Sequence, residues 1–344
     1  MLCTGARILL ESLKREGVDL FFGYPGGAVI DIYDELSNHP DLRHILVRHE
    51  QGAVHAADGY ARACGKVGVC LATSGPGATN TVTGIATAYS DSIPMVIFTG
   101  QVSTPLIGND AFQEVDIIGI TRPCTKHNFL VKDVKDLAET VRKAFYLARS
   151  GRPGPVLVDI PKNIQQASCE FVWPEDVVMR SYCPTFRANL NQLRRAMDVL
   201  VTSRKPLIVA GGGVIMANAA EELCTLAHLM HAPVCSTLMG LGAFPGDDPL
   251  WIGMLGMHGT FAANRAVTQA DVILAVGARF DDRVTGKLSQ FAPNARIVHI
   301  DIDPTTLRKN VRVEVPVVSD ALSALQGLRS ILESGHAQKD WVGD

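Results

Sequence analysis

Short apolar runs alternate along the chain with longer segments whose apolar residues recur at helical spacing. The first half contains runs rich in β-branched and aromatic residues at 19–24, 44–49, 68–73, 95–100 and 155–161. The second half contains runs of the same kind at 206–212, 232–238, 271–277 and 296–302. Apolar strands that alternate with helices are typical of a parallel sheet covered on both faces, so the pattern predicts an α/β fold.

A polar, proline-containing stretch, QQASCEFVWPEDVVMRSYCPTFRA, separates the two halves. We interpret residues 166–188 as a linker between two three-layer domains with parallel sheets, 1–165 and 189–344. A length of 344 residues agrees with about two domains. The opening segment, MLCTGARILLESLKREGVDL, predicts an amphipathic helix that begins the fold, and it lacks the apolar centre of a signal peptide.

Composition narrows the class of protein. With 47% hydrophobic and 19% charged residues, the chain is expected to be globular. A net charge of −3 without a basic block argues against nucleic acid as a partner, and no apolar run is long enough to cross a membrane. The eight cysteines form no CxxC pair, which favours buried thiols in a reducing cytoplasm over the alternatives of zinc or a disulfide framework.

Ligands of parallel α/β sheets bind at the carboxyl ends of strands, so the loops there are the candidate sites. In TSGPGATN (73–80), Gly75 and Gly77 permit a tight turn and a close approach, and Thr79 and Asn80 are expected to cap the next helix. Glu50 begins a helix rich in small residues. An acid in a first helical turn is explained by capping alone, but its place after a strand also makes it a candidate for chemistry.

The second half carries glycine-rich and charged loops. AGGG (210–213) can present backbone N–H groups to a phosphate, although it is not a GxGxxG motif. Asp301 and Asp303 can bind a ribose hydroxyl or simply form a turn before a proline. In GARFDDR, Arg279 and Arg283 beside two aspartates form either solvated ion pairs, worth about 0–1 kcal/mol, or a grip on phosphate or carboxylate.

Two further features point to no site by themselves. In GMLGMHG, core packing is the default role of Met257, and an ordinary polar contact is the default role of His258. No histidine pair with trusted metal-ligand spacing, no HExxH, no GxSxG and no P-loop is present, so we assign no metal ligand and find no support for a hydrolase.

The motifs acquire a common meaning when they are taken in order. The segments RHEQGAVHAADGYARA, TSGPGATNTVTGIATAY, GMLGMHGT and AVGARFDDRVTGKL, together with others over nearly the whole chain, resemble the bacterial large subunit of acetohydroxyacid synthase, also called acetolactate synthase. This family uses thiamine diphosphate. The resemblance implies a pyrimidine-binding domain followed by a Rossmann-like domain that binds FAD.

The resemblance also implies an activity. Members decarboxylate pyruvate and join the product to pyruvate or 2-ketobutyrate in valine, leucine and isoleucine synthesis. The acid of the RHEQ motif, Glu50 here, shares a proton with the aminopyrimidine ring of the cofactor, which activates the thiazolium carbon. The alternatives are another thiamine enzyme, such as a pyruvate oxidase, and a non-catalytic FAD-binding or scaffolding module.

Individual roles follow from matching positions. The expected catalytic residues are Glu50, Gln113, Lys162 and Arg283. Gly27 and Glu50 are expected beside thiamine diphosphate, and the substrate pocket is expected to include Phe112, Met257 and Arg283. The residues expected to line FAD are Arg152, Gly211, Gly212, Gly213, Thr237, Leu238, His258, Arg279 and Asp301.

The resemblance implies partners as well. Members form homodimers or tetramers in the cytoplasm and recruit a small regulatory subunit. Their third domain, with a GDG motif and asparagine ligands, holds Mg²⁺ and the diphosphate. The present sequence ends at WVGD without that motif, so it resembles the first two thirds of a large subunit and is expected to be inactive alone. One departure is Asn163, where many members have Asp.

Overall fold

The computed structural model describes residues 2–335 and divides between Tyr182 and Cys183 into two compact units. This division falls inside the predicted linker, 166–188. The linker contains regular secondary structure, because Ser168–Glu170 forms a strand that pairs antiparallel with Leu2–Thr4. Met1 and the end of the predicted second domain, 336–344 with its WVGD, lie outside the described residues. The two units are described separately below.

The first unit is built on a parallel sheet. Its strands are β1 (Leu2–Thr4), β2 (Leu20–Gly23), β3 (Arg43–Leu46), β4 (Gly68–Ala72), β5 (Met95–Gln101), β6 (His127–Leu130), β7 (Pro155–Pro161) and β8 (Ser168–Glu170). Six of these strands form one sheet in the order β3-β2-β4-β5-β7-β6. Every neighbouring pair in that sheet is parallel, because each connection crosses over through a helix or loop.

Helices cover both faces of this sheet. They are α1 (Gly5–Arg15), α2 (Ile30–Glu35), α3 (Glu50–Cys64), α4 (Pro76–Thr79), α5 (Val82–Asp91), α6 (Ile117–Thr121), α7 (Leu137–Arg149) and α8 (Lys162–Gln166). Helices α1, α2 and α7 share one hydrophobic core with alternate strand residues such as Phe21, Val96 and Val158. The predicted opening helix is therefore confirmed as α1, preceded by a short strand that the sequence analysis did not predict.

Helix α3 packs unusually close to the sheet and to α5, and small residues make this possible. Ala53, Ala57 and Ala61 are buried. A Cβ on Gly68 of β4 would collide with the Ala57 carbonyl, and a Cβ on Gly84 of α5 would lie 2.6 Å from Val54. The small residues after Glu50 thus fix the position of α3 within its own unit.

The second unit has the strand order of a Rossmann fold. Its strands are β9 (Pro206–Ala210), β10 (Val234–Ser236), β11 (Trp251–Met254), β12 (Val272–Val276), β13 (Arg296–Asp301) and β14 (Val315–Val318). They form one parallel sheet in the order β11-β10-β9-β12-β13-β14. Numbered from β9, this is the order 3-2-1-4-5-6 of dinucleotide-binding domains.

The helices of the second unit complete a three-layer arrangement. They are α9 (Leu190–Val201), α10 (Gly212–Met216), α11 (Ala220–Met230), α12 (Phe261–Gln269), α13 (Asp282–Thr285) and α14 (Ala321–Glu333). Two separate hydrophobic clusters use alternate residues of the same strands: one contains Ile208 and Leu274, and the other Val209 and Ile273. The sheet therefore lies between two cores. The predicted fold class, two parallel-sheet α/β domains, is confirmed.

All nine strands predicted from the sequence are present, and the strands it missed are short. Three of them, β6, β11 and β14, are edge strands, where only one neighbour has to be matched. The residues of β6 and β11 are exposed or only partly buried. In β14, Val315 and Val317 are buried, but Pro316 weakens the strand pattern. Within residues 2–335, no helix has the length and apolar character needed to cross a membrane.

Candidate functional site

The strand order of the first sheet reverses between β2 and β4, and the loops after these two strands meet at this point. They are GYPGG after β2 and TSGPGATN after β4. The hydroxyl of Thr73 accepts a hydrogen bond from the backbone N–H of Ala28 at 3.2 Å. A Cβ on Gly26 would lie 2.5 Å from the Thr73 side chain, so glycine is needed for this contact. A strand-order reversal of this kind is where parallel α/β sheets bind ligands.

Glu50 lies at the same edge, as the first residue of α3. Its side chain is 9% exposed, and its Oε2 accepts a hydrogen bond from Asn80 Nδ2 at 3.0 Å. Its Oε1 lies 3.1 Å from the point where a Cβ on Gly77 would stand. The helix cap itself is His49, whose Nδ1 accepts from the Gln51 N–H at 3.1 Å. Capping therefore does not account for the position of the Glu50 carboxylate.

Asn80 binds the Glu50 carboxylate instead of capping a helix. The sequence predicts Thr79 and Asn80 as caps of the helix after the TSGPG loop. Instead α5 begins at Val82 after Thr81, and the Thr79 hydroxyl donates to the Pro76 carbonyl at 3.1 Å. The Asn80 amide turns toward Glu50, which is 30 positions earlier in the chain. The capping prediction is wrong because a buried carboxylate needs a donor more than this helix needs a side-chain cap.

The titratable neighbours of Glu50 are held neutral. Burial, reinforced by the Glu50 charge, raises the pKa of the Tyr33 phenol and that of the Cys70 thiol. Burial also lowers the pKa of His44, whose Nε2 lies 3.3 Å from the Tyr33 hydroxyl. The carboxyl group of Glu50 therefore lies among neutral groups, where charge–charge interactions are only weakly screened.

Lys162 and Gly27 are brought together by the first unit. Lys162 Nζ donates a hydrogen bond to the Gly27 carbonyl at 3.1 Å, and Gln165 Nε2 donates to the next carbonyl, that of Ala28, at 2.7 Å. Both side chains come from α8, after the last central strand. Open space surrounds the Cα of Gly27, which is exposed. The GYPGG loop is thus fixed by the side chains of α8, and it is open to solvent at Gly27.

Gln113 and Phe112 approach the same edge from another loop. Gln113 has a positive φ of 57°, and its carbonyl oxygen lies 2.6 Å from the point where a Cβ on Gly75 would stand. Phe112 is exposed. Glu114 fixes this loop by accepting hydrogen bonds from the N–H groups of Gly108 and Ala111, which lower the pKa of its carboxyl. Glu50, Gln113 and Lys162 therefore surround two neighbouring glycine loops.

In the second unit the strand order reverses between β9 and β12, and glycines again occupy the reversal. The N–H of Gly211 donates to the Val276 carbonyl at 2.8 Å, and that of Gly213 donates to the Gly277 carbonyl at 3.2 Å. Gly277 has a φ of 60°, and a Cβ there would lie 2.5 Å from the Gly213 Cα. These glycines are required by backbone packing, independently of any ligand.

The loops around this reversal contain the other expected nucleotide contacts. The Thr237 N–H donates to the Ala210 carbonyl at 3.0 Å, and Leu238 follows it with an exposed side chain. A Cβ on Gly212 would lie 3.0 Å from the Met239 side chain. Thr237, Leu238 and the three glycines therefore form one connected surface at the ends of β9 and β10.

Asp301 ends β13 on the same side of the sheet. Its Oδ1 accepts a hydrogen bond from the Asp303 N–H at 2.8 Å, as in a turn. Close by, His299 Nε2 donates to the Ala278 carbonyl at 2.7 Å, and burial lowers the pKa of His299 to about 4, so this ring is neutral at physiological pH. Arg279 pairs with Asp281 at 3.2 Å and is about half exposed.

Met257 and Arg283 are in direct contact through their backbones. The Met257 N–H donates to the Arg283 carbonyl at 2.8 Å, and Gly256 allows this approach because a Cβ there would lie 2.5 Å from the same oxygen. Both side chains are exposed, as is that of His258. Arg152 belongs to the first unit, where its Nε donates to the Ser92 hydroxyl at 2.8 Å.

Known protein families match both units. A profile described as "Thiamine pyrophosphate enzyme, N-terminal TPP binding domain" matches residues 3–120, and one described as "Thiamine pyrophosphate enzyme, central domain" matches residues 193–328. The chain is 52% identical to the acetolactate synthase large subunit of Buchnera aphidicola subsp. Schizaphis graminum over 343 residues, which cover 98% of this chain and 60% of that protein.

Two further relatives agree with this match. The acetolactate synthase isozyme 3 large subunit of Escherichia coli K12 is 53% identical over 345 residues, covering 99% of this chain and 60% of the relative. The acetolactate synthase large subunit of Haemophilus influenzae is 52% identical over 331 residues, which cover 96% of this chain and 58% of that relative.

The chain contains two thiamine pyrophosphate enzyme domains and is homologous to acetolactate synthase large subunits over the part of them that it spans. The resemblance inferred from the motifs is thereby confirmed. The chain spans about 60% of the length of these acetolactate synthase relatives. Its thiamine pyrophosphate-binding domain, 3–120, contains Gly27, Glu50 and Gln113, and its central domain, 193–328, contains the glycine reversal and Arg283.

We predict that removal of the Asn80 amide destabilises the first unit. In Asn80→Ala the buried Glu50 Oε2 loses its donor, so the free energy of unfolding should fall by about 1–3 kcal/mol. Urea unfolding at neutral pH measures this. Asn38→Ala, at an exposed position of the same unit, should change stability by less than about 0.5 kcal/mol. Equal effects of the two substitutions would show that the Asn80–Glu50 bond contributes nothing.

Asn80→Asp gives a second readout of the same contact, with a definite pH dependence. It would place two carboxyl groups within hydrogen-bonding distance, which raises the folded-state pKa of the pair above its unfolded values. The native state then binds more protons than the unfolded state, so stability should decrease as pH rises from about 4 to 8. A profile parallel to that of the unsubstituted protein would contradict the assigned contact.

Proposed function

We propose that this chain provides the pyrimidine-binding and nucleotide-binding domains of an acetolactate synthase large subunit. The reaction would be decarboxylation of pyruvate and transfer of the product to pyruvate or 2-ketobutyrate, in the synthesis of valine, leucine and isoleucine. One observation carries the proposal: the buried Glu50 carboxylate lies at the strand-order reversal of a domain that matches the thiamine pyrophosphate-binding family.

The residues around Glu50 fit thiamine diphosphate. Asn80 holds Oε2, and Gly77 leaves space beside Oε1, so the second oxygen can reach a ring nitrogen. When bound, the cofactor supplies the carbon nucleophile and accepts the electrons released by decarboxylation. The task of Glu50 is to exchange a proton with N1′ of the aminopyrimidine ring. A positioned acid or base of this kind contributes about 10²–10⁴-fold in rate.

The neighbouring residues have positioning roles in this proposal. Lys162 holds the GYPGG loop through the Gly27 carbonyl, so Gly27 can pass close to the pyrimidine ring. Gln113 and Phe112 lie on a loop that packs against Gly75, at the entrance for the keto acids. We assign no Mg²⁺ ligand to residues 2–335. The resemblance places the Mg²⁺ and diphosphate site in another domain of such enzymes.

The second unit is proposed to bind FAD. The Rossmann strand order, the glycine reversal at 211–213 and the acid at the end of β13 support a dinucleotide with a ribose near Asp301. Arg279, about half exposed beside Asp281, is suited to a phosphate. Thr237, Leu238 and His258 are further residues of this unit that the resemblance implies as FAD contacts. The flavin has no redox step in the net reaction.

Association with other subunits is part of the proposal. Helix α3 buries Ala53, Ala57 and Ala61, whereas Gly52 and Gly59 are exposed with open space around them. An outward face of small residues next to Glu50 suits close packing against a second large subunit. We propose a homodimer or tetramer that also recruits a small regulatory subunit. Sedimentation of the complete enzyme would overturn this part if the active species were a monomer.

The alternative thiamine enzymes are less well supported. A pyruvate oxidase or a simple decarboxylase does not need a pocket for a second keto acid. In this chain the GMLGMHG and GARFDDR loops are joined by the Met257–Arg283 backbone hydrogen bond, so an apolar side chain and a guanidinium are presented together. That pairing suits a keto acid with one carboxylate and a short alkyl group.

We predict that Glu50→Gln lowers acetolactate formation by about 100-fold or more, because the amide cannot exchange the proton. The assay uses pyruvate, thiamine diphosphate and Mg²⁺, with the chain alone and with the chain joined to the C-terminal domain of the Escherichia coli relative. Glu175→Gln, at an exposed acid of the first unit, should leave the rate unchanged. Thiamine-dependent activity that survives Glu50→Gln would remove Glu50 from the mechanism.

We predict saturable binding of FAD, followed by the change in flavin fluorescence on titration. Arg279→Ala should weaken FAD binding by roughly tenfold to a hundredfold. This is the loss expected when a charge-assisted hydrogen bond, which contributes about 1.5–3 kcal/mol, is removed. Arg312→Ala, at an exposed arginine of the same unit, is the control. Equal affinities in both variants would contradict the assigned role of Arg279. FAD binding by an enzyme that makes no acetolactate would instead favour the non-catalytic module.

We predict different effects of Arg283 and Met257 on the second substrate. Pyruvate and 2-ketobutyrate carry the same carboxylate, so Arg283→Ala should weaken use of both by roughly tenfold to a hundredfold while pyruvate decarboxylation persists. The two acids differ by one methylene, worth about 1–3 kcal/mol, so Met257→Ala should change the product ratio. The assay supplies both keto acids together and measures the amounts of the two products. Met216→Ala, at another exposed methionine of this unit, is the control and should change neither the rate nor the product ratio. If Arg283→Ala changed only the product ratio and Met257→Ala only the total rate, the roles assigned to these two residues would be reversed.

A further inference from the structure

Three side chains with different ligand atoms meet on the second unit, away from the glycine reversal. Cys224 and His228 lie four residues apart on α11, so they share one face of that helix. Asp248 reaches them from the loop before β11. The cysteine sulfur, an imidazole nitrogen and a carboxylate oxygen all lie within 4.8 Å of one another. Neither the proposed reaction nor FAD binding uses any of these residues.

The cluster is held by the surrounding structure. Asp248 Oδ1 accepts a hydrogen bond from the Leu250 N–H at 2.9 Å, and the Asp248 carbonyl accepts from the Trp251 N–H at 2.9 Å. The ring of His228 stacks on the buried ring of Phe244 at 6.5 Å. The side chain of Asp248 is 13% exposed and that of His228 is 50% exposed, so one side of the cluster is open to water.

We propose that Cys224, His228 and Asp248 form a Zn²⁺ site with water as the fourth ligand. Thiolate, imidazole and carboxylate together suit zinc, whereas Mg²⁺ and Ca²⁺ prefer oxygen ligands alone. Tetrahedral zinc with bonds of about 2.0 Å to nitrogen and oxygen and 2.3 Å to sulfur needs ligand atoms about 3.3–3.6 Å apart. With all three ligand atoms within 4.8 Å of one another, binding requires only small side-chain movements: the widest separation closes, and His228 Nε2 and Asp248 Oδ2, 2.8 Å apart, separate slightly.

A metal ion at this cluster would replace a proton. His228 Nε2 and Asp248 Oδ2 are 2.8 Å apart and share a hydrogen bond. Burial, reinforced by the charge of Asp248, raises the pKa of the Cys224 thiol. Zinc binding therefore releases protons, as is general for thiolate and imidazole ligands.

The test is a titration of the metal-free, untagged chain with Co²⁺, which adopts zinc geometry and absorbs visible light. We expect one equivalent of Co²⁺ to produce a thiolate charge-transfer band and the strong ligand-field bands of tetrahedral coordination. Zn²⁺ should then remove these bands by displacement and raise the melting temperature. Cys224→Ser should abolish the charge-transfer band. His228→Ala and Asp248→Asn should each weaken binding by more than about 100-fold, since loss of a ligand exceeds loss of a supporting contact.

Controls separate this site from accidental binding by other thiols or imidazoles. Cys64 and Cys183 are exposed, and Cys64→Ser with Cys183→Ser should leave the bands unchanged. His231→Asn, at the left-handed C-cap of the same helix, should also leave them unchanged. Absence of the bands, or their persistence in Cys224→Ser, would overturn the proposal. If Cys224→Ser fails to fold, the half-exposed His228→Ala variant decides the question by the same displacement titration.

Discussion

A parallel strand cannot be joined to its neighbour by a tight turn, and this constraint organises both units. Each connection has to leave the carboxyl end of a strand and cross the sheet. Where the strand order reverses, two connections leave in opposite directions, and the loops at that point must pass each other closely. In this protein both reversals are occupied by glycines, because a Cβ on Gly26 or Gly277 would collide with the opposing loop. The candidate sites exist because the backbones can approach there.

The two reversals use this closeness differently. In the first unit the loops surround a buried carboxylate, and Glu50 is stabilised by one side-chain amide rather than by a cationic partner. A single donor to Oε2 fixes the direction of the carboxylate and leaves the other oxygen, beside Gly77, available for the proposed proton exchange. In the second unit the N–H groups of Gly211 and Gly213 donate to the carbonyls of Val276 and Gly277. These two donors are therefore used by backbone packing, and a ligand would contact other groups of the loop.

The fold was largely predictable from the sequence because the central strands are apolar on both faces. Runs such as 95–100 and 155–161 became β5 and β7 with nearly the same bounds. Edge strands such as β14 were missed, since one of their sides is unpaired and their pattern is weaker. Motif resemblance identified Glu50, but not Asn80, because the contact between them is made by the tertiary fold. Asp248 joins Cys224 and His228 for the same reason: only folding brings the loop before β11 to α11.

Close packing of α3 also sets its rotational phase. Ala57 fits against Gly68 and Val54 against Gly84 at one angle about the helix axis, and a Cβ on either glycine would collide with α3. Successive residues of an α-helix are rotated by about 100° about the helix axis. One residue inserted between Glu50 and Ala53, or deleted there, would therefore turn Glu50 away from Asn80 or move the buried alanines off the sheet. Evolution of this segment is thus restricted in length more strictly than in composition, since the exposed positions can vary while the spacing between Glu50 and the buried alanines cannot.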